Sequence, residues 1–99
     1  MAMTLEQLHE YDSYISEGNG FAKEAKICAE QMRYEDSKEC FFKAMEQYKY
    51  ALILARSCND DRQNKAYHLF NSARICFGDM GYKVDIENGK KNNDDQVEK

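Results

Sequence analysis

The stretch Tyr34-Glu35-Asp36-Ser37-Lys38-Glu39-Cys40-Phe41-Phe42-Lys43-Ala44-Met45 decides the fold. Asp36 is placed to accept a hydrogen bond from a first-turn backbone N–H, and Glu39, three residues on, completes a reciprocal cap. The spacing predicts a helix from there to about Ser57. Phe41, Ala44, Tyr48, Ala51 and Ala55 fall on one face of it, and Phe42, Met45, Leu52 and Ile53 on another. A helix apolar on two sides has to be covered on two sides. That is what the middle helix of an antiparallel three-helix bundle requires.

Upstream, Thr4 with Gln7 three residues later fits a capping box. Leu5, Leu8, Ile15, Ala22, Ala25, Ala29 and Met32 then recur near helical spacing. Gly18-Asn19-Gly20 interrupts the run: Gly18 could end one helix and Asn19 cap the next. The stripe stays in phase across the glycines, which favours one continuous or merely kinked helix. Unbroken from Leu5 to Met32, it measures roughly 42 Å and overhangs its neighbours. Residues 1–20 are thus expected to form a helical extension presenting Leu8, Tyr11 and Ile15 outward.

Downstream, Cys58-Asn59-Asp60-Asp61 is a polar connector in which Asp60 and Gln63 form another capping pair. The third helix carries Ala66, Leu69, Phe70, Ala73, Cys76 or Phe77, and Met80, with Gly81 as its expected stop. Residues 21–84 make the bundle, because short loops between helices of this length force antiparallel neighbours. From Asp85 the chain turns to Asn, Asp, Lys and Glu. Such a segment cannot offset an ordering cost of ~1–2 kcal/mol per residue, so 85–99 is expected as a disordered tail.

Composition agrees with an all-α reading. The chain has 99 residues and no proline, 42% hydrophobic and 32% charged, with a mean hydropathy of −0.85. One domain is the most it holds at ~100–200 residues per domain. No run approaches the ~18 apolar residues of a spanning helix, and no leader peptide opens it, so membrane insertion is not expected. Lys plus Arg number 14 against 18 Asp plus Glu, which lacks the basic surplus that neutralises phosphates and argues against nucleic acid. Cys28, Cys40, Cys58 and Cys76 include no CxxC pair. They are expected as reduced thiols, mostly in the core of a cytoplasmic protein, with no metal bound.

No catalytic constellation stands out. There is no glycine-rich phosphate loop following a strand. Asp60 and Asp61 are better explained by capping, and His68 beside Tyr67 is a lone surface histidine. The chain is read as a non-enzyme without cofactor.

Within the opening stretch Tyr34 is followed by Ser37 at +3, Phe41 at +7 and Ala44 at +10. The spacing resembles tetratricopeptide-like hairpins and, more closely, the three-helix MIT (microtubule interacting and trafficking) domain. A small residue at +3 lets helices approach, and aromatics fill the space beside it. The likeness covers about Phe21 to Lys83 and departs from the pattern in the serine at +3, the late glycines and the long first helix. A weaker likeness, on Glu24-Ala25-Lys26 and Ala66-Tyr67 with Leu69-Phe70, is to the helical C-terminal homology domain of Lilliputian-type transcription-elongation scaffolds.

The MIT resemblance implies an adaptor that takes a helical or extended segment, such as an ESCRT-III subunit's tail, in a groove beside helix three. It implies a cytoplasmic protein, brought to endosomes through that partner. The matching wall is Tyr67, Phe70, Arg74 and Phe77, with Met45 and Leu52 from helix two. Arg62, Lys65 and Arg74 are placed to pair acidic partner residues, and Asp79 a basic one. A second reading is a self-association module of a larger scaffold, motivated by five Phe and seven Tyr in so short a chain. A third is a bacterial-type helical chaperone.

Overall fold

Thr4 starts the first helix as its spacing predicts. Its hydroxyl accepts from the Gln7 N–H at 3.1 Å, and the Gln7 side chain accepts from the Thr4 N–H at 2.9 Å. The computed structural model describes residues 3–97, and their side chains as far as Gly89. Helix α1 spans Leu5–Glu30, α2 Tyr34–Ser57 and α3 Arg62–Val97. Helix α1 passes through Gly18 and Gly20 unbroken, with neither glycine at positive φ.

The turns lie where the polar breaks predict them, with local differences. Met32 adopts φ 61°, and the Arg33 N–H returns to the Cys28 carbonyl at 2.9 Å, closing α1. That turn delivers the chain into α2 at Tyr34, two residues before the expected cap. Asp36 is therefore not the cap; it sits in the first turn and takes the Arg33 guanidinium at 2.7 Å. A carboxylate there still favours the helix N-terminus. Asn59, at φ 53°, ends α2. Asp60 accepts from the Arg62 N–H at 2.9 Å, and the Gln63 side chain donates to the Asp60 carbonyl at 3.2 Å.

Gly81 does not stop α3. A helical glycine costs about 1 kcal/mol relative to alanine, and packing beyond it offsets that. Met80 and Val84 are buried, and Lys83 lies 5.1 Å from the Tyr34 ring at the start of α2. The helical backbone continues to Val97. Of the expected tail, the side chains of 90–97 and all of Glu98 and Lys99 lie outside the described residues.

The three helices pack as a hairpin-like bundle, α1 and α3 on opposite flanks of α2 and scarcely meeting each other. Helix α2 supplies the ridge of Ser37, Phe41, Ala44, Tyr48, Ala51 and Ala55, all buried. The larger core gathers Tyr11, Ile15, Ala44, Tyr48, Ala51, Ala55, Ala66 and Ala73; a smaller one joins Ala25, Phe41 and Met80. Ser37 has an account beyond smallness: its hydroxyl donates to the Ala25 carbonyl of α1 at 2.7 Å, fully buried.

The expected overhang is absent. Tyr11 and Ile15 are buried in the larger core, and the Tyr11 hydroxyl donates to the Arg62 carbonyl at 3.1 Å. Helix α2 is 24 residues long against 26 for α1, so α1 finds cover along its length. Helix α1 ends at Glu30, where the turn begins, two residues short of Met32.

Asp60 anchors the end where all three helices come together. It accepts from Arg62, at the backbone N–H and from the guanidinium at 3.0 and 3.1 Å, and from the Met3 N–H at 3.4 Å. The Arg62 backbone hydrogen bond is the chief cause that holds its carboxyl below the ordinary value of 3.8; burial opposes it, and the Arg62 side chain assists. A depressed folded-state pKa contributes stability that is present above pH 3.8 and is lost as pH falls through the folded value. Acid unfolding followed by circular dichroism below pH 4 should therefore be less steep for Asp60→Asn than for the parent.

Candidate functional site

The second apolar face of α2 is the one the fold does not cover. Met45 is half-buried and Leu52 is only 6% exposed, yet Phe42 is 44% and Ile53 55% exposed. The expectation that both faces would be covered fails here, because α1 and α3 lean on the Ala44–Ala55 ridge and leave the outer side open.

Phe42 stacks on Phe77 of α3, ring centroids 5.8 Å apart and tilted by 46°. Two open hollows share Phe42. One, of about 350 Å³, is bounded by Glu35, Asp36, Lys38, Glu39 and Phe77. The other, of about 200 Å³, is bounded by Met45, Glu46, Lys49 and Phe70. Across the α2 ridge, on the α1 side, Tyr14 stacks on Tyr50 at 5.6 Å beside Ile53, edging a third hollow of about 240 Å³. The outer face of α2 thus exposes Phe42 and Ile53 among charged side chains and is flanked by shallow depressions.

Of the residues expected to bind a partner, Met45, Phe70 and Phe77 come together on this face. Leu52 does not: it packs into the larger core. Arg62 is engaged at the far end with Asp60. Tyr67 is exposed against the His68 ring, and Lys65 is exposed near the start of α3. Arg74 is exposed, its guanidinium held by Asn71 at 2.6 Å on the same helix. Phe42, Lys49, Tyr50 and Ile53 were missed as surface residues. Phe42 and Ile53 carry a signal, the second apolar stripe, for which the sequence predicts internal cover; Lys49 and Tyr50 lie off that stripe and carry none.

The charges mix along the outer face. Lys38 lies 5.7 Å from the Phe77 ring centroid, a cation–π arrangement worth about 0.5–1 kcal/mol at an exposed site. Lys43 reaches Glu39 at 3.8 Å. On the opposite side, a furrow between α1 and α3 has Phe41 and Tyr48 at its floor and Ala22, Lys26, Leu69 and Cys76 on its walls. Burial raises the Tyr48 phenol and the Cys40 thiol above their ordinary values. All four cysteines are free thiols.

Among the described residues no group of His, Cys, Asp or Glu is arranged to hold a metal ion. No helix among them is long and apolar enough to cross a membrane. No family model, no curated protein and no solved structure matches this chain. What the molecule presents is a three-helix all-α domain whose central helix keeps one side uncovered, with Phe42 and Ile53 exposed on it.

Proposed function

We propose that this protein is a non-enzymatic interaction adaptor, binding a helical or extended segment of a protein partner across the outer face of α2 and α3. The observation that carries the reading is the Phe42–Phe77 pair, with Phe42 exposed and Phe77 half-buried, continuous with Met45 and Phe70. Aromatic anchors in such pockets supply most of the affinity at protein interfaces, while charges at the rim set specificity and association rate. The spacing shared with MIT and tetratricopeptide hairpins supports the same reading. An MIT-like role would make the partner the tail of an ESCRT-III-type subunit and the setting cytoplasmic.

Titration of the isotopically labelled protein with amphipathic helical peptides, ESCRT-III-type tails among them, tests it. The resonances of Phe42, Met45, Phe70 and Phe77 should move together, and Phe42→Asp should abolish the response while keeping the helical spectrum. If no resonance of α2 or α3 moves at millimolar peptide, the adaptor reading fails.

A further inference from the structure

Resting on that reading of the outer face, we infer that its occupant is a second copy of this chain, packed α2 against α2 in antiparallel orientation. Three observations lead there. The first is shape. The Cα framework measures 64 × 21 × 13 Å, a row of helices about one layer deep. Domains ordinarily bury their apolar faces between two layers. Here the outer side of α2 has no second layer, and a copy set face to face provides one.

The second is register. Glu39, Phe42, Glu46, Lys49, Ile53 and Arg56 succeed one another in alternating steps of three and four residues along α2. That is the spacing by which two helices mesh along a common line. Glu46 is half-buried and the other five are exposed, so the line is the crest of the open face.

The third is charge, and it fixes both orientation and occupant. Place a two-fold axis midway between Glu46 and Lys49. Glu46 then faces Lys49 of the partner copy, Phe42 faces its Ile53, and Glu39 faces its Arg56. Each contact occurs twice, as an isologous interface requires. Glu39 exchanges its exposed intrachain contact with Lys43 for the partner's Arg56. Parallel packing would set Glu39, Glu46 and Lys49 each against its own like, which is repulsive. The line is therefore complementary to itself only when reversed. A partner of single charge sign would meet repulsion along half of it.

A charge exchange at the centre tests this with surface substitutions. Sedimentation of the parent from micromolar to millimolar concentration should show a monomer–dimer equilibrium. Glu46→Lys alone sets lysine against lysine at the axis, and Lys49→Glu alone sets glutamate against glutamate. Each should raise the dimer dissociation constant by about tenfold or more, with circular dichroism unchanged. An equimolar mixture of the two variants restores opposite charges at both contacts and should form a heterodimer as tight as the parent. A parent that stays monomeric throughout overturns the inference, as does a dimer indifferent to either single variant or a mixture that fails to pair. The two readings separate cleanly: a monomer whose Phe42 still responds to peptide removes the second copy alone, whereas one that responds to neither removes the adaptor reading too.

Discussion

Ala44→Asp is expected to leave no folded protein at room temperature. Ala44 is fully buried in the larger core, one turn from both Phe41 and Tyr48 on the ridge that both flanking helices touch. An aspartate there has to be accommodated where only a methyl group fits. The added volume costs about 1–3 kcal/mol. A buried charge without a partner costs on the order of 3–5 kcal/mol more. Folded domains have about 0.05–0.15 kcal/mol per residue to lose, so the two costs together approach the whole stability of a chain this short. Circular dichroism and a thermal melt decide it. A cooperative transition like the parent's would mean that Ala44 faces water. Phe42→Asp, two residues away on the open face, is the control. It should remain folded, showing that the loss comes from burial and not from a carboxylate in α2.

The second large effect concerns a glycine. Gly18→Val is expected to destabilise by about 3 kcal/mol, against little change for Gly20→Val. A Cβ at Gly18 would fall within 2.6 Å of Tyr48 Cδ1 and closer still to Cε1, whereas one at Gly20 meets nothing within 4 Å. The Tyr48 ring cannot easily give way. It is 3% exposed, and its hydroxyl donates to Asn19 Oδ1 at 2.6 Å. Displacing it loses packing and that hydrogen bond together. Leaving glycine improves helix propensity by a few tenths of a kcal/mol at either position, too little to compensate at Gly18. Urea titrations of both variants check the contrast, and equal midpoints would mean that the ring does not rest on Gly18. The same contact gives the glycine-rich stretch a place inside an unbroken α1. Gly18 is a docking place for a ring on the next helix.

Much of the fold was legible because its signals are local. Thr4 and Gln7 are three residues apart, and their mutual hydrogen bonds need only the backbone between them. The ridge from Phe41 to Ala55 repeats at helical spacing, and every member is buried. Errors arose where a local signal met a neighbour distant in sequence. Gly81 has the look of a stop, but Met80 and Lys83 on either side of it rest against the first turns of α2. Tyr11 and Ile15 looked outward until α2 and α3 were seen to reach them. The candidate site was half legible. Met45, Phe70 and Phe77 were named from the sequence and do converge, while Leu52 and Phe42 exchanged roles between surface and core. Both are apolar residues on the second stripe of α2, and nothing in their spacing says which one a neighbouring helix will cover.

By itself the amino-acid order determined that this chain makes helices and where the breaks between them fall, because those outcomes depend on hydrogen bonds and periodicities spanning a few residues. Only the tertiary structure decided that the flanking helices lean to one side of α2. That choice depends on which large and small side chains meet across the interfaces, as Tyr48 on Gly18 and Ser37 on Ala25 do, and it is what leaves Phe42 and Ile53 facing outward.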